Sequence, residues 1–574
     1  MTDRRTVRDE EVSKVQRRRL TALVVVLLSV AMIVAACGKS KKTGGATSTT
    51  SAAKVKVGGT VPYAADQQPT GFNLNTSKDN GTAVLNVMDR VWPSVFHANP
   101  KIEVVLDKDL MESADLTKTD PETITYKINP KAVWSDGTPI NADDFIYAWT
   151  MQKGGAKDID GKPADVAATT GYEDIESVTG SDNGETVTVV FKNKFSDWKS
   201  LFSIMVPAHI GKVKGWNNGF DKFDPAVVVS GGPFKIQSWN QDKDLTLVPN
   251  DKYWGKRPNL DQVVYRFITE SSQQVPALQN KEVDMIYPQP QLDTVSQVKQ
   301  IPDVNGVVNF GLSFEHLDFN FKNPILGGTD GLTVRKAFAM ALDRPAIVQR
   351  TVAQFDPKAA IDNNRIYVNN QHEYVDNGRD YASADVAGAK KALEAAGFAL
   401  GSDGIYAKGG KRLSFSIRTT QGNQLREQQL QLIQAQEKLA GIELTPNNAK
   451  SNILFKQLPQ GQFDISNFGW VDSPFPSGNK SIYTTNSDSN YGKYSNPKVD
   501  DLFKQAVAEL DDTKKKDLYN QIDKILWDDM VTIPLYQKPT FIAYRNTLAN
   551  VGDNPTNEGP FWNEELWGFK AAAL

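Results

Sequence analysis

WSDGTPINADDFIYAW, residues 134–149, holds a turn, a cap and a helix in sequence. Asp136-Gly137 and Pro139 predict a tight turn, because glycine accepts a positive φ and proline fixes its own. Asn141 then predicts an N-cap, with Asp143 and Asp144 in the first helical turn, where acidic groups suit the positive end of the helix dipole. Phe145, Ala148 and Trp149, at i, i+3 and i+4, give that helix one apolar face. The stretch reads as a turn feeding a packed helix and carries no ligand set of its own.

A second dense block lies downstream. Gly231-Gly232-Pro233-Phe234 reads as a turn and Leu245–Val248 as a strand, followed by Asn250-Asp251-Lys252-Tyr253-Trp254-Gly255. Later come Val334-Arg335-Lys336-Ala337-Phe338, Ala341-Leu342-Asp343-Arg344 and Ile533-Pro534-Leu535-Tyr536. In this order the motifs resemble those of the family 5 extracellular solute-binding proteins, the peptide- and nickel-binding subunits of ABC importers. The resemblance runs from about Gly59 to Leu574. It departs where Ser230-Gly231-Gly232 stands in place of the family's Gly-Thr-Gly.

The resemblance implies an α/β fold of the large type II periplasmic-binding-protein class, two lobes with ligand buried between them. Residues 59–95, 220–315 and 541–574 would form lobe I, 96–219 an accessory subdomain within it, and 316–540 lobe II. Local patterns agree with an α/β chain. Thr60–Ala64 and Thr186–Phe191 read as strands. Leu413–Thr420, Gln424–Ala440 and Ile442–Thr445 read as strand, helix and strand, a βαβ unit of a parallel sheet. Leu425, Leu432 and Leu439 on that helix are expected in the core, the pattern being too short for a coiled coil. A strand is expected from Phe314, and Arg335 is expected to be a structural ion-pair partner.

The first residues read as a targeting segment. Met1–Arg19 is charged, and Leu20–Ala36 runs seventeen residues without a charge. An uncleaved membrane helix is the other reading of that length. Val34-Ala35-Ala36-Cys37-Gly38 resembles a lipobox, so 1–36 is expected to be a lipoprotein signal peptide and Cys37 the lipid attachment. Residues 37–58, rich in Gly, Ser, Thr and Ala, would be a flexible tether. Cys37 is the only cysteine, so no disulfide framework or Cys-based metal site arises within one chain. Removing seven of the 65 basic and four of the 68 acidic residues leaves 58 and 64, a net charge of −6. That balance offers no electrostatic case for nucleic acid.

The expected ligand site is assembled from three places. In Phe463–Pro476, Gly469-Trp470-Val471-Asp472 is similar to the strand that pairs with peptide main chain in the peptide-binding branch, with Asp472 as acceptor for an α-ammonium. This sequence is one residue shorter between Trp and Asp than the best-known binders. A turn-capping Asp before Ser473-Pro474 is the other reading. By position, Asp79, Asn80 and Gly81 would border the ligand. Lys538 stands where the family often places a cleft tyrosine, with Tyr536 two positions earlier on the same side; the lysine would meet an acidic ligand group or extend to solvent.

Catalysis finds no support. His97, His209, His316 and His372 are scattered, with no i, i+4 pair for zinc, and no Gly-x-Ser-x-Gly elbow is present. Asp143-Asp144 and Asp511-Asp512 are expected in solvent. The resulting expectation is a non-enzymatic, monomeric subunit without cofactor or metal, lipid-anchored on the outer face of the cytoplasmic membrane. It would deliver peptides to an ABC permease and its ATPase. A glycan or other solute remains the alternative ligand, and an extracytoplasmic enzyme the rival class.

Overall fold

Asn141 caps the expected helix reciprocally. Its side chain accepts from the Asp143 amide at 2.8 Å, and the Asp144 carboxylate accepts from the Asn141 amide at 3.1 Å, starting α1 (Ala142–Gln152). Phe145 and Ala148 are buried and Trp149 packs beside them. Asp144 corrects the expectation of a solvated pair. It is buried, its other oxygen accepts from the Ala208 amide at 2.9 Å, and burial pushes its carboxyl up to about 6.

The computed structural model describes residues 55–571 except 451, 452, 455, 456 and 488. The expected signal segment, Cys37 and nearly all of the tether lie outside the described residues. Among the described residues no helix is long and apolar enough to cross a membrane. The strands used below are β1 (Thr60–Ala65), β2 (Met111–Thr119), β3 (Glu122–Ile128), β4 (Ile175–Ser181), β5 (Thr186–Phe191), β6 (Phe234–Asn240) and β7 (Asp244–Pro249). They continue as β8 (Gln262–Phe267), β9 (Met285–Ile286), β10 (Val304–Phe319), β11 (Ser414–Arg418), β12 (Glu443–Pro446), β13 (Ile465–Val471) and β14 (Thr532–Arg545).

Ten of these form one sheet in the order β12-β11-β13-β10-β14-β9-β1-β8-β7-β6, while β2-β3-β5-β4 make a separate antiparallel sheet inserted after β1. Two large cores pack on the long sheet. Tyr63, Trp92, Tyr265 and Trp567 belong to one, at the β1–β8 end; the other holds Phe319, Phe338, Ile433 and Ile533 and reaches the first end through Ala64, Leu278 and Ile286. Only β10 and β14 run through both ends. Val304–Phe310 pairs with Pro539–Arg545, and Phe314–Asp318 with Thr532–Gln537. Between them Gly311–Ser313 stand opposite Lys538, and the ladder breaks. This is the two-lobed α/β fold, and the break lies midway along the two strands that run through both ends. β10 begins at Val304, ten residues before the expected start at Phe314, because the first-lobe half of this strand is interrupted by Gly306 and Gly311.

The βαβ expectation holds: β11 and β12 are parallel neighbours joined by α2 (Gln424–Leu439). Its leucines need a correction. The buried face of α2 is Leu425, Arg426, Gln429, Leu430, Ile433 and Glu437, and Leu439 is 64% exposed. Heptad positions drift about 20° per seven residues on a straight helix, and two heptads carry Leu439 off the face.

The second motif block owes its glycine to a close backbone approach. A Cβ on Gly232 would lie 2.3 Å from the Arg90 carbonyl oxygen, whereas the Ser230 hydroxyl donates to the Val91 carbonyl at 2.9 Å. Arg335, expected as an ion-pair partner, is buried and donates instead to main-chain carbonyls of Leu326, Asp529 and Met530, with its guanidinium 4.1 Å from the Phe321 ring centre. Carbonyls left over at loop and helix ends take the place of a carboxylate.

Candidate ligand-binding site

Strand β13 runs beside β10, with Glu315 opposite Gly469 and Phe314 opposite Trp470. Directly opposed residues share a face and successive residues alternate, so Gly469 and Trp470 look in opposite directions.

The Gly469 face is closed. Glu315 lies between Gly469 and Tyr536, and α2 sets Arg426 against it at 2.7 Å. Burial works to raise the Glu315 carboxyl, but Arg426 and Lys538 hold it below its ordinary value. A Cβ on Gly469 would stand 3.0 Å from Glu315 Oε1 and 3.4 Å from Arg426 Nη2, so glycine is what lets the strand cross over this pair. Lys538 lies 3.7 Å from Glu315 Oε1 and donates to Gln289 at 2.6 Å; burial pushes its ammonium down to about 8. Its charge is committed internally. Tyr536, expected to line the cleft, is fully buried, and its hydroxyl donates to Gln429 at 2.5 Å. The helix that closes this face is what takes Tyr536 out of the cleft.

The Trp470 face is aromatic, then open. Trp470 packs on Phe468 at 5.2 Å, Tyr491 at 5.5 Å and His316 at 6.1 Å between ring centres. Its indole N–H is buried and makes no hydrogen bond among the described residues. Val471, which alternation puts on the Gly469 face, is 67% exposed, so that face is closed only as far as Gly469. The Asp472 amide donates to the Leu312 carbonyl at 3.1 Å, which ties the strand end to the β10–β14 break. Its half-buried carboxylate accepts from Asn479 at 3.3 Å and has no basic side chain in salt-bridge range among the described residues. Burial pushes that carboxyl up to about 7, with the Asn479 amide holding it partly down.

Two cavities lie beyond the strand end, between the lobes. Ser473, Pro474 and Phe475 from lobe II meet Asp89, Phe96 and Glu558 from lobe I around a chamber of about 210 Å³. A cavity of about 770 Å³ shares Val104, Lys199, Pro474 and Phe475 with it. The lobes touch at the rim of these cavities. The Asp197 carboxylate accepts from the Ser477 amide at 2.9 Å and lies 3.5 Å from Lys515, and the Ser196 amide donates to the Val507 carbonyl at 2.7 Å.

Asp79, Asn80 and Gly81 are not brought to this place. Asp79 is buried within its own loop, accepts from the Thr70 hydroxyl at 2.7 Å and packs under Gly71, where a Cβ would come within 2.6 Å. Asn80 and Gly81 are exposed at the start of the helix Thr82–Met88. None of the three shares a wall of either cavity with Asp89 or Phe475.

One cluster escaped the sequence reading. Asp89, His97 and Glu558 present atoms within 4.8 Å of one another, close enough to hold a metal ion. Arg90 already occupies the group, with Nη2 2.8 Å from Asp89 and 3.5 Å from Glu558. Burial and Arg90 push His97 down, but Glu558 and Asp107 carry it up to about 10. An imidazolium has no lone pair to give a metal, so the arrangement is an ion network at neutral pH. His97, one of four histidines, was its only sequence signal, since Glu558 arrives from the far end of the chain.

The bacterial extracellular solute-binding proteins, family 5 (middle region), match residues 106–493 of this chain. The oligopeptide-binding protein OppA of Mycobacterium tuberculosis is 30% identical over 514 residues, covering 87% of this chain and 83% of that protein. The oligopeptide-binding protein AppA of Bacillus subtilis is 27% identical over 530 residues, covering 90% and 93%. Among solved structures, the periplasmic EDTA-binding protein EppA superposes with a TM-score of 0.85 at 28% identity, covering 92% of this chain and 100% of that one. With the two-lobed fold and these matches in place, this chain belongs to the family 5 bacterial extracellular solute-binding proteins.

Proposed function

We propose that the chain is the substrate-binding subunit of an ABC importer and takes peptides into the cleft between its lobes. It binds and releases without chemistry, acts as a monomer, and hands its ligand to a permease driven by an ATPase subunit. Cys37 would carry a lipid that holds it on the outer face of the cytoplasmic membrane, at the start of the tether, residues 37–58. Tightening around ligand at the β10–β14 break shifts the population toward the form with the lobes in contact.

The observation that carries the peptide reading is the end of β13. Strand β11 pairs with β13 only at Ile417–Ile465 and Arg418–Ser466, so among the described residues Gly469–Val471 has a strand on one side alone. An extended peptide can add to such an edge through its main chain, which tolerates varied side chains. Asp472 follows directly and would accept the peptide's α-ammonium, a charge-assisted contact of about 1.5–3 kcal/mol. The names of the relatives OppA and AppA support the same class of ligand.

Calorimetry tests this. Asp472→Ala is expected to weaken binding of free-amine peptides by about tenfold or more and to leave N-acetylated peptides nearly unaffected. Equal loss for both removes Asp472 from the amine role. A second reading, a non-peptide solute, draws on the likeness to an EDTA-binding protein, and it takes over if no peptide binds the intact chain.

A further inference from the structure

We propose that the 210 Å³ chamber beside Phe475 is a side-chain site for a cation, the ammonium of a lysine or guanidinium of an arginine in the bound peptide, with Glu558 as counter-ion. The proposal rests on the peptide reading above and goes beyond it, from main chain to side-chain preference. The chamber is smaller than the roughly 300–1,000 Å³ of a whole small-molecule site, and its size suits one long side chain.

The chamber wall carries Asp89 and Glu558 with His97 and Lys199. Behind it Asp107 and Glu565 add two carboxylates and Arg90 one cation, Glu565 standing 4.0 Å from Arg90, so four carboxylates face three cations. Glu558 is 8% exposed and its oxygens have different fates. Oε1 accepts from the Ala98 amide at 2.5 Å. Oε2 lies 3.5 Å from both Arg90 and His97 yet makes no hydrogen bond among the described residues. A buried carboxylate oxygen without a donor is costly, and an incoming N–H removes that cost.

The rest of the wall fits an amphipathic side chain. Leu85, Phe96 and Phe475 offer apolar surface for an aliphatic stem, while Glu558 and Asp89 offer acceptors for its tip. An anionic tip would meet the carboxylate excess. Lys199, also on the wall, is held at the rim shared with the larger cavity, its ammonium 5.9 Å from the Phe96 ring centre and 5.5 Å from that of Trp198. The upward displacement of His97, despite burial and Arg90, agrees with a field that favours positive charge here.

The test is calorimetry on the intact chain with alanine pentapeptides carrying one lysine at each position in turn, against the same set with norleucine. At one position lysine is expected to bind about tenfold tighter, and in Glu558→Gln that ratio is expected to fall to about one. Glu558→Gln retains the oxygen that accepts the Ala98 amide, and Asp89→Asn probes the same field from a second residue if the first variant melts early. Peptide binding with no lysine preference, or a preference unchanged in both variants, overturns the cation site and leaves the peptide reading standing. If no peptide binds, agmatine is titrated instead. Binding that Glu558→Gln abolishes keeps the cation site and overturns the peptide reading, and no binding overturns both.

Discussion

On one face of β13, Gly469 covers a carboxylate shared between two cations; one residue further along and one beyond the strand end, Trp470 and Asp472 present an indole and a carboxylate with little to satisfy them. Both faces lie beside the β10–β14 break, on the same few residues. The difference separates structure from binding. A buried carboxylate with Arg426 and Lys538 around it is neutralised, and it fixes where α2 meets the sheet. A carboxylate backed only by the Asn479 amide retains free energy that a ligand's ammonium can recover.

The largest expected effect comes from breaking the closed face. Glu315→Ala would strand Arg426 and Lys538 without their shared partner, at about 3–5 kcal/mol of stability in urea unfolding. A loss under about 1 kcal/mol would mean water already reaches the pair, and the contrast between the faces would fail. Next is Gly469→Ala, which adds a methyl 3.0 Å from Glu315 without a forbidden backbone angle. It is expected to cost about 1–3 kcal/mol, and a neutral result would show room where the closed face has none.

The smallest effect sharpens the open face. In the folded chain the Asp472 carboxyl is pushed up to about 7, above the ordinary 3.8 of the unfolded chain. The folded state therefore holds this proton more tightly, a contribution complete below pH 3.8 and lost as pH rises through about 7. Asp472→Asn has no such loss, so its melting temperature should exceed the parent's by about 2 °C at pH 8 and match it near pH 3.5. A constant offset across that range would mean the carboxylate is solvated when folded.

Much of the fold was legible where local chemistry and long-range packing agree. Asn141 and Asp144 cap one helix within four residues, and the periods of residues 413–445 switch from two to 3.6 and back. Legibility failed where a partner comes from elsewhere. Tyr536 has the alternation of a cleft residue, but α2 lies over it, and no residue near Tyr536 announces that helix. Asp144 looked like an exposed acid because the Ala208 amide that buries it is 64 residues away. The Asp89–His97–Glu558 network is less visible still. Its members are unremarkable separately, and only the return of the chain after β14 brings Glu558 to the other two.

That return also sets the order in which the molecule can be finished. The first lobe's β9 is only two residues long, and its neighbour on one side is β14, through Met285–Tyr544 and Ile286–Ala543. Ile542, Phe561 and Trp567 lie in the first lobe's core, although the whole second lobe is synthesised before them. Until β14 is made, the first lobe lacks the strand that pairs with β9 on that side. Contacts this distant in sequence form slowly. The lobe that begins first is completed last, and a chain cut short after the second lobe would leave the first without its closing strand.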